Sequence, residues 1–414
     1  MTVPPALIET LGLDRGPLAR LLAVLDGAGE EARLVGGAVR NALLGLAPGD
    51  VDIATTATPE EVMRRAAAAR FKPVPTGVEH GTVTVVVDGQ PFEVTTLRED
   101  VETYGRKARV EFGRDWRRDA ERRDFTINAL SVARDGTVHD YVGGLADLAA
   151  RRVRFIGDPA RRIAEDYLRI LRFFRFHADY GEGALDPEGL RACIRARGGL
   201  DSLSRERVRM EIVKLLVTRR VLPTLVVMAE TGILGAVLGG VPQLASFASM
   251  IKVETAAGLA GDPTRRLGAL AVLVIEDAER LRERLRLSNA EFERLYTMAD
   301  GWWRVAPGDV AGRALLYRLG AQRFVDRALL AWSRANAGAA DAAWQEMATL
   351  PQRWAAPRYP LRAADFTARG IACGPALGAA LAAAEEAWIA AGFPMARDTL
   401  AHIADEAVRK SGAR

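Results

Sequence analysis

Cysteine is nearly absent from this chain: Cys193 and Cys373 are the two in 414 residues, and they lie far apart. That spacing offers neither a disulfide framework nor a cysteine-based metal knuckle, and a reducing cytoplasm fits. No apolar run approaches the ~20 residues that a membrane span needs. The first sixteen residues, MTVPPALIETLGLDRG, hold Glu9 and Asp14 and lack a basic stretch followed by an apolar core. No signal peptide is expected from them. Lysine is scarce as well, so the formal net charge of +4 and the pI near 9.2 rest almost wholly on arginine. A guanidinium offers a planar fork to phosphates and base edges, which admits a nucleotide or nucleic-acid ligand. An Ala/Arg/Gly-rich composition also follows from genomic base bias, and charge alone does not choose between the two.

What is present is an ordinary globular balance, 49% hydrophobic and 27% charged. The length is too great for one core and implies roughly two to four domains or subdomains. Up to about residue 135 the pattern alternates. Ala32–Val35, Val51–Ala54, Val83–Val87 and Phe92–Leu97 are short, β-branched runs that predict strands, and Asp88-Gly89 predicts a tight hairpin turn. Helical spacing fits Pro17–Asp26, Ala38–Leu44 and Pro59–Ala69, the last opened by the cap-and-start signal Thr58-Pro59-Glu60-Glu61. Beyond Asp158-Pro159 the strand signals stop. Ile163–Phe176, Arg205–Val217, Arg265–Leu285 and Ala376–Ala391 carry apolar residues at helical spacing, in a helical remainder of about 250 residues. There is no low-complexity linker and no internal repeat. The expected architecture is α+β: a small mixed head on a long all-α body.

Leu34-Val35-Gly36-Gly37-Ala38-Val39-Arg40 runs from a strand through two glycines into a helix. Glycines let a backbone approach a phosphate, a helix start supplies unpaired N–H groups, and Arg40 is placed to reach the same anion. Alone, such a turn is no more than a turn. Ten residues on, Gly49-Asp50-Val51-Asp52-Ile53 puts two carboxylates at i and i+2, which face one side if both lie in a strand. Like charges so placed repel unless a cation lies between them, and Mg²⁺ is the usual hard ion near phosphates. An isolated Asp-x-Asp reads equally as a solvated pair; following the Gly-Gly turn it reads as chemistry. Glu93, between Phe92 and Val94, points to the open face if its neighbours face the core. Three carboxylates can hold two metal ions, one activating an attacking hydroxyl and one steadying a leaving pyrophosphate.

Arg122-Arg123-Asp124-Phe125-Thr126-Ile127-Asn128-Ala129 closes the head. Arg123 can serve a triphosphate or sugar; Asp124 and Asn128 either orient it or form a structural corner. In Glu165–Phe176 a continuous helix would put Asp166, Arg169 and Arg172 on one face at i, i+3 spacing, with Arg175 on its flank. That arrangement is either an ordinary surface pair or a base reader. Cytosine and adenine each show an amino donor beside a ring-nitrogen acceptor, and an accepting Asp with a donating Arg would fit both while rejecting U and G.

The chain here resembles the class II CCA-adding tRNA nucleotidyltransferases and the related bacterial poly(A) polymerases. GGAVRNALLG (36–45), DVD (50–52), GVEHGTVTVVV (77–87), FEVTTLR (92–98), RRDFTINAL (122–130), YVGGLADL (141–148), EDYLRILRFFRF (165–176) and SLSRERVRMEIVKLL (202–216) occur in that family's order. The match thins beyond residue 217 to LRAADFTARGIACGPALGAAL (361–381). The resemblance implies a nucleotidyltransferase head (1–135), a neck with a nucleotide-selecting helix (136–220), and a body and tail that bind RNA (221–414). It implies Mg²⁺ at Asp50 and Asp52, to which the strand pattern adds Glu93 as the third catalytic carboxylate. It also implies nucleotide contacts from Gly37, Arg40, Arg123, Asp166, Arg169, Arg172 and Arg175; the supporting role of Asp124 and Asn128 comes from the reading of their own segment.

Glu99–Arg118 matches the family's flexible loop, tied to the switch from C to A addition. Asn41 departs from the Asp that many relatives carry, which puts a catalytic support role there in doubt. The implied activity is addition of C, C and A to the tRNA 3′ end from CTP and ATP. Poly(A) polymerases tend to carry a Gly-Arg-Arg-Phe-type stretch where this chain has Pro75–Gly81, which favours CCA addition. Partial addition, of A alone or of the two Cs, and an inactive RNA-binding relative also stay open at this point. Some relatives append a metal-dependent hydrolase domain. With only His80, His139, His177 and His402 and no clustered His-Asp pair, that domain is not expected. The tryptophans of the body (Trp302, Trp303, Trp332, Trp344, Trp354, Trp388) are assigned mostly to packing, and its basic flanks to the acceptor-stem phosphates.

Overall fold

The β-branched runs become strands. A computed structural model describes residues 5–104 and 107–412, with side chains described at 7–98 and 112–411. In chain order come α1 (Pro5–Leu11), α2 (Gly16–Leu25), β1 (Ala32–Val35), α3 (Gly37–Leu43), β2 (Asp52–Thr55) and α4 (Pro59–Ala68). Then follow β3 (Lys72–Gly77), β4 (Thr82–Val87), β5 (Gln90–Thr96), β6 (Arg98–Tyr104), β7 (Lys107–Phe112), α5 (Trp116–Glu121), β8 (Ser131–Ala133) and β9 (Val138–His139). Seven strands form one sheet in the order β3-β4-β5-β2-β1-β8-β9, and β6 pairs with β7 separately. Within the seven, β2 and β5 run parallel, and the other described pairs are antiparallel.

Local chemistry explains the joints. Asp88 and Gly89 both take positive φ, 51° and 81°, as the primed hairpin turn between β4 and β5 demands. The Thr58 hydroxyl accepts from the Glu61 N–H at 3.4 Å and starts α4, with Pro59 in its first turn. Period-two burial then sorts the faces. Val83, Val85 and Val87 are fully buried while Thr82, Thr84 and Val86 are half-exposed. The buried face packs on α2 and α4 through Leu21, Leu22, Leu25, Val62 and Ala66, each large side chain contributing about 1.5–3 kcal/mol. The other face is partly roofed by α5, whose Trp116 sits on Val35, Ala54 and Leu97. The Arg33 guanidinium covers that ring at 4.0 Å. The segment matched to a flexible loop has a hairpin backbone in β6 and β7, followed by α5. Gly105, Arg106 and the side chains of 99–111 lie outside the described residues.

After β9 the described elements are helical: α6 (Gly144–Ala149), α7 (Pro159–Glu165), α8 (Leu168–Tyr180), α9 (Pro187–Ala196), α10 (Arg205–Leu215), α11 (Val221–Glu230) and α12 (Ile233–Leu238). Two helices expected to be continuous are broken. Between α7 and α8, Asp166 is extended (φ −157°), and its carboxylate accepts the Leu168 N–H at 3.1 Å to restart the helix. Arg265–Leu285 divides likewise. Its Asp277 carboxylate accepts the N–H groups of Leu273 and Val274, so a new helix begins at Ile275. In both places an Asp offers the backbone a local partner that competes with the helix ladder.

The chain divides into two compact units, Met1–Val237 and Leu238–Arg414. The second contains α13 (Leu244–Ala256), α14 (Pro263–Ala271), α15 (Ile275–Leu285), α16 (Asn289–Ala299), α17 (Asp309–Leu319) and α18 (Ala321–Arg334). It ends with α19 (Ala342–Ala348), α20 (Leu350–Arg353), α21 (Ala363–Thr367), α22 (Pro375–Ala390) and α23 (Arg397–Gly412). Trp332, Trp344 and Trp388 are buried there, and Trp303 is 53% exposed. The fold is α+β, a mixed sheet with helices followed by helices alone.

Candidate active site

The parallel pairing of β2 with β5 sets Asp52, the first residue of its strand, directly beside Glu93 in the middle of β5, on neighbouring strands ~4.8 Å apart in the sheet. Glu93 is exposed between buried Phe92 and Val94, on the open face. Asp50 arrives differently from the expected i, i+2 strand geometry. The strand begins at Asp52, and Asp50 lies in the turn before it, where Gly49 takes a positive φ of 73°. Its charge still reaches Asp52. Partial burial, then Glu93 and Asp50, raise the Asp52 carboxyl above the usual carboxylate range, against the pull of Arg123.

Gly36 holds φ at 71°, a conformation a side chain would strain, and a Cβ there would lie 3.4 Å from Arg123 Nη1. Arg123 therefore stands over the Gly36–Gly37 turn. Asp119, almost fully buried, fixes it there by accepting from Arg123 Nε and Nη2 and from Arg122. Sequence spacing aims Arg40 at the same anion; the structure turns it inward instead. It is buried, donating from Nη1 to Asn128 Oδ1 at 2.5 Å and from Nη2 to the Tyr180 hydroxyl at 2.7 Å. Its guanidinium lies 3.9 Å from the Tyr180 ring centroid. Asn41 Oδ1 accepts from Arg40 Nε and Nη2, while its Nδ2 donates to the carbonyls of Ala47 and Pro48 on the approach to Asp50.

The neck arginines are not aligned as a free row. Asp124 accepts from Arg172 Nε at 2.7 Å and from Asn128 Nδ2 at 3.0 Å. Burial would raise the Asp124 carboxyl, but Arg172 and Asn128 hold it below its ordinary value. Arg175 Nε donates to Glu211 at 2.6 Å, and Arg172 Nη1 lies 3.7 Å from the same carboxylate. Arg40, Asn128, Asp124, Arg172, Glu211 and Arg175 thus form one chain of polar contacts joining α3, α8 and α10. Asp166 and Arg169 are each held by another partner: Asp166 by Arg207, and Arg169 Nη1 by Glu165 and the Arg162 carbonyl. They still sense one another, since Arg169 helps Arg207 keep the Asp166 carboxyl low against its burial.

Residues 32–154 match the model of the poly A polymerase head domain, and residues 184–247 match a probable RNA and SrmB-binding site of polymerase A. The mitochondrial CCA tRNA nucleotidyltransferase 1 of Homo sapiens is 35% identical over 377 residues, covering 89% of this chain and 85% of that one. The chain belongs to the class II CCA-adding enzyme and poly(A) polymerase family. A CCA-adding enzyme of Limosilactobacillus fermentum is 33% identical over 386 residues, 90% of this chain and 92% of the relative. The crystal structure of the Bacillus stearothermophilus CCA-adding enzyme in complex with CTP superposes with a TM-score of 0.77 at 27% identity, covering 100% of both chains.

Membership of this nucleotidyltransferase family implies dependence on a divalent metal. Among the described residues no three His, Cys, Asp or Glu side chains converge as a ready-made cage. The donor set nevertheless fits a hard cation: oxygen-only ligands, one of them uncomfortable as an anion. Mg²⁺ in particular is held by one or two carboxylates plus water and substrate phosphates.

Four residues that hold the candidate site residues in place went unread in the sequence: Asp119, Tyr180, Arg207 and Glu211. The last two sit at i, i+4 on α10, and Glu211 is a nearly buried carboxylate among Ile212 and Leu215. A lone Glu on an apolar helix face is a signal that asks for a buried cation opposite. Asp119 and Tyr180 carried no such mark.

Proposed function

We propose that the protein adds C, C and A to the 3′ end of tRNA, from CTP and ATP and without a template. The terminal hydroxyl attacks the nucleotide α-phosphate, and pyrophosphate leaves. The observation that carries the reading is Asp52 beside Glu93 at the one parallel strand pair of the described sheet, facing the Gly36–Gly37 turn and Arg123. Relatives of nearly full length that bear the CCA-adding name support it.

In this reading Asp50 and Asp52 hold Mg²⁺, with Glu93 as the third carboxylate. When bound, the ion supplies Lewis-acid stabilisation of the phosphoryl oxygens and lowers the hydroxyl pKa. Glu93 orients the primer end beside Asp52. Arg123, pinned by Asp119, meets triphosphate charge at the glycine turn, where charge-assisted hydrogen bonds are strong. Gly37 leaves room for the phosphates, and Arg40 braces the turn from beneath with Asn128. Asp166 accepts from, and Arg169 donates to, the edges of C and A. The described hydrogen bonds of Arg169 use only Nη1, leaving Nε and Nη2 for a base. Arg172, through Asp124, keeps α8 against the head, and Arg175, through Glu211, ties α8 to α10. In this scheme residues 1–135 are the catalytic head, 136–220 the selecting neck and 221–414 an RNA-binding body and tail. No described helix is long and apolar enough to cross a membrane, and the scheme places the enzyme in the cytoplasm.

The test uses tRNA transcripts ending at the discriminator base, at –C and at –CC, with Mg²⁺ and each nucleotide alone, then CTP plus ATP. Growth by C, C and A followed by arrest is the expected result. The head-domain match also carries the poly A polymerase name; long tails from ATP alone on any 3′ end would replace CCA addition by that reading.

A further inference from the structure

Arg304, Arg318 and Arg327 line one cavity of about 330 Å³ in the second unit, with Asp300 as the acidic residue of its lining. Arg327, on α18, is 9% exposed, and its Nε is spent on the Thr297 carbonyl at 2.6 Å. The nearest carboxylate to its η nitrogens, Asp300, is 3.6 Å away, an ion pair without a hydrogen bond. Arg318 pairs with Glu386 outside the cavity. Arg304, just after Trp303, has no hydrogen-bonded or ion-paired side-chain partner among the described residues, and its guanidinium lies 5.9 Å from the Trp303 ring centroid. With Nε spent, the η nitrogens of Arg327 remain as donors on the cavity wall, open to an anion. Burial also lowers the Arg327 pKa, with Asp300 alone opposing.

We propose that this cavity binds a phosphate group of an RNA backbone. The planar forks of Arg304 and Arg327 match phosphate oxygens, and Arg318 adds positive charge to the lining. Ala311, Ala314 and Leu315 give the cavity an apolar wall for the adjoining sugar. Next to Arg304 in the chain, Trp303 leaves 53% of its surface exposed, with the Arg304 guanidinium 5.9 Å from its ring centroid, a platform on which a base can stack. A phosphate flanked by a stacked base describes a nucleic-acid chain better than a free anion. The assignment of RNA rests on the proposed tRNA substrate; the phosphate chemistry stands on the arginines themselves.

The test is made on the intact protein with Arg304→Glu and Trp303→Ala, both exposed positions, and with Arg327→Lys. The dissociation constant of a tRNA transcript ending in –CC is measured across a salt series, alongside calorimetric titration with inorganic phosphate. For Arg304→Glu, tRNA binding is expected to weaken about 3- to 10-fold and the slope of log K against log salt to fall by about one. The KM for CTP stays where it was. Trp303→Ala is expected to weaken tRNA binding with little change in slope. Wild-type affinity and slope in Arg304→Glu would overturn the proposal. Loss of phosphate binding with unchanged tRNA affinity would overturn RNA as the source of the phosphate. A protein that extends no tRNA, yet shows the Arg304-dependent slope, would overturn the transferase reading and leave this site standing.

Discussion

Arg207 holds Asp166 with both ends of its fork, Nη1 to Oδ1 at 3.2 Å and Nη2 to Oδ2 at 2.5 Å, from a helix 41 residues further along the chain. The Asp166 backbone is extended there, between α7 and α8, so Arg207 supplies the rigidity that a continuous helix would otherwise have supplied. Arg207→Gln keeps one hydrogen bond and loses the charge and the fork. The preference for CTP over UTP, as a ratio of kcat/KM in single-nucleotide incorporation, is expected to fall about tenfold, the scale of one charge-assisted hydrogen bond. An equal loss for all four nucleotides would make Arg207 a structural brace and nothing more.

Asp52 and Glu93 meet across the parallel strand pair, and neither supports the core: Glu93 is exposed and Asp52 lies at an open strand end. Asp52→Asn and Glu93→Gln are therefore expected to cut incorporation at least about 10³-fold. The thermal midpoint should move by no more than about 2 °C. Binding of tRNA, measured without nucleotide, should be unchanged in both. Retained incorporation by Asp52→Asn would leave the chain an RNA-binding scaffold whose carboxylates serve another end.

Much of this is legible from residues alone, for identifiable reasons. Strands with strict alternation, such as Thr82–Val87, declare their faces, so the pattern around Glu93 already aims it at the open side. The Asp88-Gly89 turn and the Thr58 cap depend on neighbours in sequence and are equally readable. What escapes are contacts set by distant partners. Asp166 reads as helical because apolar spacing runs through it; only its local bond to Leu168 and its distant bond to Arg207 pull it out. Asp50 reads as strand for the same reason, and Pro48-Gly49 wins instead. Arg40 looks like a free cation because nothing in GGAVRN announces Tyr180, 140 residues away.

Asn41 stands where many family members carry Asp, and its amide does what a carboxylate cannot. Its Nδ2 donates to the Ala47 carbonyl at 3.2 Å and to Pro48 at 3.4 Å, tying the loop that delivers Asp50. Asn41→Asp keeps the bonds to Arg40 but faces those two carbonyls with an anion that has no proton to give. The expected outcome is a kcat about 3- to 10-fold lower. The Mg²⁺ concentration for half-maximal rate should rise, and the KM for tRNA should stay unchanged. A shift in the tRNA KM alone would place the effect away from the carboxylates.

Asp124 ties the head to α8 through Arg172, and that tie titrates. Burial pushes its carboxyl upward, but Arg172, Asn128 and the Phe125 N–H outweigh it, so the folded-state pKa lies below the usual carboxylate range. A depressed carboxyl contributes stability that is present above its unfolded pKa, near 3.9, and lost as pH falls through the folded value. The contribution is therefore intact at neutral pH and starts to be lost below about pH 4. Asp124→Asn retains the shape but leaves Arg172 with Glu211 at 3.7 Å as its remaining ion pair. At pH 7 the variant is expected to lose about 3–4 kcal/mol, within the range for breaking a buried pair. In urea titrations at pH 7, 5, 4 and 3, the gap between wild type and variant should narrow as pH falls. A gap constant from pH 7 to 3 would show that Asp124 acts through packing and not through its charge.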